Sequence, residues 1–166
     1  RLAVRVQLLT SAPLVAVTDG ERGGALASAA GAAVALPPPP TGVAADSLDT
    51  TGAGDAFLGG LLAVLWRRGL GGAEGTAALP TTADELTHAL RVANAAGTAG
   101  CTVLGGLPPT DGSARTKVVA LVGAGTDAEA WLPPARAAGA GGDADDCDAA
   151  EAGRAEVGIS LQADAA

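Results

Sequence analysis

The sequence predicts an α/β fold, a layered α/β/α domain with a mostly parallel sheet. Short runs at 13–18 and 32–36 have the length and the small, β-branched composition of strands. Longer runs at 56–69 and 83–100 place apolar side chains at helical spacing. Strands that alternate with helices are typical of layered α/β domains with a largely parallel sheet. The apolar residues are mostly Ala, Val and Leu, so we expect close packing of small side chains.

The first forty residues indicate short elements joined by tight turns. Residues 2–9 are apolar with polar residues interspersed, a pattern that fits a helix or a strand. The strand at 13–18 is followed by a turn at 20–24, after which the returning strand of a hairpin begins. The strand at 32–36 leads into four consecutive prolines at 37–40. These prolines predict a polyproline linker that lies over the surface.

Two longer segments predict helices with recognisable ends. The run at 56–69 has Phe57 and several leucines on one face and ends in basic residues and a glycine. Thr82 and Glu85 have the spacing of a capping box, in which each side chain bonds the other residue's backbone amide. We expect that helix to end near Gly100, and residues 118–122 form a last apolar run.

The net charge of −8 is concentrated at the end of the chain. Residues 127–166 contain nine acids and two bases, whereas residues 1–126 contain nine acids and eight bases. From about residue 133 the sequence is mostly Ala, Gly and Asp, which cannot bury enough apolar surface to offset the chain entropy. We therefore expect a folded domain at 1–126 and a disordered acidic tail at 127–166.

The composition argues against nucleic-acid binding and against a membrane span. No basic patch marks a nucleic-acid surface, and no apolar run reaches the ~18 residues that a span requires. Cys101 and Cys147 lack the spacing of a metal site, so we expect free thiols in a reducing compartment. This predicts a cytoplasmic location, with a plastid as the alternative. The sequence starts at Arg1 and contains no Met, so we expect an upstream portion.

The stretch 49–60, Asp-Thr-Thr-Gly-Ala-Gly-Asp-Ala-Phe-Leu-Gly-Gly, predicts an anion site. Gly52 and Gly54 let the main chain turn with its N–H groups exposed. The helix that follows directs its unpaired N–H groups and the positive end of its dipole to the same place. Asp55 stands there, which makes sense if its carboxylate acts on a hydroxyl that is being phosphorylated. The same turn also occurs as an ordinary helix start in α/β proteins.

This stretch resembles the C-terminal signature of the ribokinase (PfkB-type) carbohydrate kinase family. Segments at 17–23, 93–97 and 105–110 resemble, in order, the nucleotide motif, the helix that borders the adenine and the loop that closes the core domain. The resemblance covers about residues 10–115, the C-terminal part of a longer kinase. It implies a ribokinase-like fold and ATP-dependent phosphorylation of a sugar or nucleoside hydroxyl.

The resemblance also implies roles for the residues of the signature. Asp55 would be the catalytic base that takes the proton from the acceptor hydroxyl. The phosphoryl group would be stabilised in an anion hole by the backbone N–H groups of Gly52, Ala53, Gly54 and Asp55. An Asp suits this role, because little proton transfer precedes the breaking of the phosphorus–oxygen bond.

Further residues would bind the cofactors, which are ATP, Mg²⁺ and a potassium-type cation. Asp49 and Thr51 resemble ligands of the K⁺ ion that shapes this loop in many members, and Gly106 would add a carbonyl. Magnesium would be carried by the nucleotide phosphates rather than by a protein cage. The nucleotide side of the site would be lined by Thr18, Gly20, Gly23 and Asn94.

Two hypotheses about the whole protein remain. In the first, it is a kinase for a small-molecule sugar or nucleoside, with a homodimer formed through the N-terminal part of the family's fold. In the second, it is a catalytically inactive kinase-fold subunit in a larger assembly, like the plastid fructokinase-like proteins. The low aromatic content and the acidic tail favour the second hypothesis, and the intact signature with Asp55 favours the first.

Overall fold

The computed structural model describes residues 1–42, 44, 48–70, 79–106 and 111–123 of the chain. In chain order the elements are α1 (Leu2–Thr10), β1 (Leu14–Thr18), β2 (Gly24–Ser28), β3 (Ala33–Leu36), α2 (Ala53–Leu65), α3 (Ala83–Gly100) and α4 (Ser113–Val122). A 3₁₀ turn at Gly20–Arg22 joins β1 to β2, and α2 runs into a π-helical turn at Trp66–Leu70. The acidic tail expected at 127–166 lies outside the described residues.

The three strands form one antiparallel sheet in the order β1-β2-β3. Val15 lies opposite Ala27, and Leu26 lies opposite both Ala16 and Val34. The strands are joined through residues 19–23 and 29–32, whereas a parallel pair needs a crossover of about a dozen residues or more. The α/β class is confirmed, but the strands of the described part do not have the mostly parallel pairing that the sequence predicted.

Side chains alternate between the two faces of the sheet, and helices cover both faces. On one face Val15 and Ala27 pack with Ala3 of α1. On the other face Leu26 joins a larger core to which α2 and α3 contribute most of the buried residues. The described part therefore has the three layers, α/β/α, that the sequence predicts.

The two longest helices, α2 and α3, approach each other through small residues. A Cβ atom placed on Gly60 of α2 would lie 2.7 Å from the Cβ atom of Ala96 on α3. One on Gly97 would lie 3.4 Å from the Cβ atom of Phe57, which is buried near the start of α2. This close packing fixes the first turns of α2 against the second half of α3.

The capping box at the start of α3 is confirmed. The Glu85 amide donates to the Thr82 hydroxyl at 3.3 Å, and the Glu85 carboxylate accepts from the amides of Thr81 and Thr82 at 2.8 and 3.1 Å. The carboxylate also forms an ion pair with Arg68 from the π-helical turn. Hydrogen bonds from the Thr81 amide, from Arg68 and from the Thr82 amide lower the pKa of Glu85 to about 2. The helix ends at Gly100, as predicted.

Two apolar segments without a definite prediction are helical. Residues 2–9 belong to α1, and residues 118–122 form the last part of α4. Helix α1 leaves Leu8 and Leu9 exposed at its end, which is why its apolar residues follow no clear helical stripe. None of the helices in the described ranges has the length and hydropathy needed to cross a membrane.

Candidate functional site

The site begins at the turn that leads into α2. Gly52 has a φ angle of 73°, in the left-handed region that glycine adopts with little strain. The Ala53 amide donates to the Thr50 carbonyl at 3.1 Å, and no side chain caps this helix start. The amides of Gly54 and Asp55 lie in the first turn, where helical N–H groups have no partner within the helix. Of the four residues of the predicted anion hole, Gly54 and Asp55 therefore offer the backbone N–H groups best placed to donate to an anion.

The carboxylate of Asp55 is exposed in the first turn of α2. A negative charge at this position lies at the positive end of the helix dipole. Its neighbour Gly54 lines the cavity described below, whereas Asp55 is not among the lining residues and faces the solvent beside it. The Asp55 carboxylate is therefore accessible from the solvent, whereas the neighbouring Gly54 faces the cavity.

The carboxylate of Asp49 holds the loop before α2. Its Oδ1 accepts from the Thr51 amide at 2.9 Å, and its Oδ2 accepts from the Gly105 amide at 2.8 Å. The Asp49 amide donates to the carbonyl of Cys101, just after α3, at 2.9 Å. Hydrogen bonds from the Thr51 side chain, the Gly105 amide and the Thr51 amide lower the pKa of Asp49 to about 2. The group is therefore ionised at neutral pH.

Two glycines bring this loop into backbone contact with the turn after α3. A Cβ atom on Gly52 would lie 2.9 Å from the Gly106 carbonyl oxygen, and one on Gly106 would lie 2.8 Å from the Thr51 carbonyl oxygen. The structure thus brings together the three residues predicted as cation ligands, Asp49, Thr51 and Gly106. A carboxylate and backbone carbonyls are ligands that suit a hard cation. In the described part of the chain, no group of three His, Cys, Asp or Glu side chains forms an alternative metal site.

A cavity of about 540 Å³ opens beside the start of α2. Its walls are mostly apolar and come from the β1–β2 turn, the proline segment (residues 37–40), the first turns of α2 and the face of α3. The predicted residues that line it are Thr18, Gly20, Gly23, Ala53, Gly54 and Asn94. All four residues predicted for the nucleotide side and two of the four predicted for the anion hole therefore share one cavity, although they come from three separate parts of the chain.

Asn94 is buried in the wall of this cavity, with 4% of its surface exposed. Its Nδ2 atom donates to the carbonyls of Leu36 and Pro37 at 3.1 and 3.2 Å. Its Oδ1 atom lies towards the sheet, 3.2 Å from the position that a Cβ atom on Gly24 would take. The side chain therefore ties α3 to the point where β3 ends and the proline segment begins.

Sequence reasoning missed several contributors to the site. The proline segment lines the cavity and is not only a surface linker. The Cys101 carbonyl and the Gly105 amide, which hold Asp49, contribute through the backbone and leave no side-chain signal. The four successive prolines were the one available signal, because such a run forms a stiff apolar surface.

Comparisons with known proteins identify a matching family. A family model described as pfkB family carbohydrate kinase matches residues 3–111. Among solved structures, the chain is similar to a fructokinase double mutant from Vibrio cholerae O395, determined with fructose, ADP and a potassium ion bound, at 24% identity and a TM-score of 0.44. The match covers 78% of this chain and 34% of that one, so the chain spans about a third of the fructokinase. No match was found among curated protein sequences.

Proposed function

The chain belongs to the pfkB family of carbohydrate kinases, and from this premise we propose that it forms the nucleotide-binding part of a sugar kinase. The reaction is transfer of the γ-phosphoryl group of ATP to a hydroxyl of the sugar, with a nucleoside as the second class of acceptor. The shared cavity supports this proposal most strongly, because Thr18, Gly20, Gly23 and Asn94 line it together with Ala53 and Gly54 at the start of α2. A nucleotide bound there would have its phosphates near the N-terminus of α2, where anions are stabilised.

Catalysis in this proposal rests on positioning and on charge stabilisation. Phosphoryl transfer passes through a loose transition state, so fixed N–H donors aimed at the developing charge supply much of the rate enhancement. The backbone amides of Gly52, Ala53, Gly54 and Asp55 form the anion hole, and the Ala53 amide contributes least because it already donates to Thr50. The exposed Asp55 carboxylate accepts the proton of the acceptor hydroxyl.

The cations of the proposal are K⁺ beside the loop and Mg²⁺ on the nucleotide. Asp49, Thr51 and Gly106 would hold K⁺ through one carboxylate and two carbonyls, and these residues already lie together. When bound, the ion supplies positive charge next to the anion hole and stiffens the loop that carries Gly52. Magnesium is carried by the nucleotide phosphates, as is usual for an ion that keeps several of its waters.

A second candidate is a catalytically inactive kinase-fold subunit of a larger assembly. One observation favours it specifically: α2 and the turn after it expose Leu58, Leu62 and Trp66 at successive helical turns, with 50%, 48% and 66% of their surfaces exposed. Helix α1 adds Leu8 and Leu9. Apolar surface of this kind fits contact with the other subunits of such an assembly.

Assay of the protein with MgATP in the presence of sugars and nucleosides tests the proposal. Mass spectrometry would identify any acceptor that gains a phosphoryl group, and each reaction would be run in KCl and in choline chloride at matched ionic strength. We expect at least one sugar to be phosphorylated, faster in KCl than in choline chloride. Binding of ATP without phosphorylation of any acceptor would contradict the proposal and favour the inactive subunit.

A further inference from the structure

The proline segment (residues 37–40) stands between two cavities. The larger is the proposed nucleotide cavity, and a second cavity of about 280 Å³ lies behind residues 37–39. The second cavity is bordered by Arg91 of α3 and by Leu121 and Val122 of α4. Packing around residues 37–39 is therefore incomplete. The position of the proline segment then depends on the contacts that its first residues make.

Asn94 and Gly23 make these contacts at the start of the proline segment. The Asn94 amide group has two hydrogens, and it donates to two carbonyl oxygens, those of Leu36 and Pro37. A Cβ atom on Gly23 would lie 2.2 Å from the Leu36 carbonyl oxygen, so the β1–β2 turn contacts the same junction directly. The segment is therefore held, where it leaves β3, by both α3 and the hairpin turn.

The orientation of the Asn94 side chain leaves no N–H group for a nucleobase. Both donors are used by the backbone of residues 36 and 37, and carbonyl partners require the nitrogen, not the oxygen, on that side. The Oδ1 atom lies towards Gly24 of the sheet. Asn94 thus lines the cavity with an amide whose two N–H groups are both bonded to the protein backbone.

We propose that Asn94 is a positioning residue, which holds the proline segment in place as a rigid wall against which the nucleobase packs. In this proposal Asn94 does not recognise the base through hydrogen bonds to its edge. The inference rests on the proposed function, because it concerns the same nucleotide. Prolines have a fixed φ and no N–H group, so the wall offers a stiff apolar surface to the face of any purine. Loss of the Asn94 amide should therefore weaken all purine nucleotides by the same factor.

Titration calorimetry with ADP and IDP tests this inference. IDP carries an oxygen where ADP carries the 6-amino group. A residue that forms a hydrogen bond with this position of the purine would therefore distinguish the two nucleotides. The variant Asn94→Asp keeps the shape but places a carboxylate oxygen against the two carbonyls. We expect both affinities to fall by about 10-fold, as for the loss of two buried hydrogen bonds, with their ratio unchanged within about twofold.

Two further variants keep the test decisive. Pro38→Gly loosens the wall without altering α3, and it should weaken ADP and IDP in parallel even if Asn94→Asp does not fold. Ser28→Ala removes a different buried hydroxyl, which accepts from the Ala30 amide, and it should leave both affinities unchanged. In turnover assays, Asn94→Asp should raise the KM for ATP and change kcat little.

The outcomes separate this inference from the proposed function. A change of more than about fivefold in the ratio of ADP to IDP affinity in Asn94→Asp would show that Asn94 distinguishes the two bases. Unchanged affinities in Pro38→Gly would show that the nucleobase does not pack against the proline segment. Either result would overturn the inference and leave the kinase proposal intact. If the unaltered protein bound neither nucleotide, the proposed function itself would fail, and this inference with it.

Discussion

Substituting alanine at Gly106 and, as a matched control, at Gly105 tests the backbone contact that holds the proposed cation loop. The two glycines have φ angles of 74° and 81°, so alanine at either position costs about 1–2 kcal/mol. At Gly106 the new Cβ atom would also lie 2.8 Å from the Thr51 carbonyl oxygen, whereas at Gly105 it would meet nothing within 4 Å. Relieving the overlap by moving the loop costs about 1–3 kcal/mol more. Gly106→Ala should therefore lower the free energy of unfolding by roughly 2–5 kcal/mol, and Gly105→Ala by roughly 1–2 kcal/mol.

Urea unfolding measures this difference. With a slope of about 2 kcal/mol per molar urea, the additional loss in Gly106→Ala lowers the midpoint by about 0.5–1.5 M beyond that of Gly105→Ala. A second readout is the stabilisation by K⁺ over choline at matched ionic strength, about 1.4 kcal/mol at ten times the dissociation constant. It should persist in Gly105→Ala and disappear in Gly106→Ala. Equal midpoints and equal K⁺ stabilisation in the two variants would refute the reasoning, because the contact between residues 51 and 106 would then carry no energy.

Two predictions concern the rest of the fold. Gly60→Ala should lower the free energy of unfolding by about 1–3 kcal/mol, because its Cβ atom would lie 2.7 Å from that of Ala96. A Cβ atom on the neighbouring Gly59 would meet nothing within 4 Å, so Gly59→Ala should raise the free energy of unfolding by about 0.5–1 kcal/mol. A loss of stability in both variants would contradict the packing of α2 on α3. The pKa of Glu85 is lowered from 4.5 to about 2, so its stabilising contribution is complete above pH 4.5 and is lost as the pH falls towards 2. Unfolding measured between pH 2 and 6 should therefore depend less steeply on pH in Glu85→Gln than in the unaltered protein, and identical slopes would contradict the role of Glu85.

The elements that the sequence predicts well are those set by local chemistry. The capping box of Thr82 and Glu85 needs only residues three apart, and it was predictable down to its two reciprocal hydrogen bonds. The ion pair of Glu85 with Arg68 was not predictable, because it joins residues 17 positions apart. Residues 2–9 were ambiguous because α1 exposes apolar side chains on its outer surface and so lacks a clear period.

Strand pairing is the feature in which the described residues differ from the predicted fold. The alternation of strands and helices along the whole chain suggested crossovers, but β1, β2 and β3 follow one another without an intervening α-helix. Connections of this length permit antiparallel pairing and exclude a crossover. The short turn at 20–24 already indicated a hairpin, and the same reasoning applied to residues 29–32 would have predicted the third antiparallel strand.

The candidate site was predictable where side chains or glycines mark it. The order of Asp49, Gly52 and Asp55 in one stretch predicted a loop that leads into a helix, and the structure has that arrangement. The partners of the loop are backbone groups of Cys101 and Gly105, which leave no side-chain signal in the sequence. For the same reason, the contact of Asn94 with the carbonyls of residues 36 and 37 could be found only in three dimensions.

The central claim is that Asp55 acts as the base in phosphoryl transfer, and comparison of Asp55→Asn with Asp84→Asn tests it most directly. Both carboxylates are exposed in the first turn of a helix, so the two variants lose the same charge in similar surroundings. General base catalysis contributes about 10²–10⁴ in rate, so kcat of Asp55→Asn should fall by at least about 100-fold with ADP affinity retained. The kcat of Asp84→Asn should be unchanged. Equal turnover by Asp55→Asn and the unaltered protein would contradict the assignment.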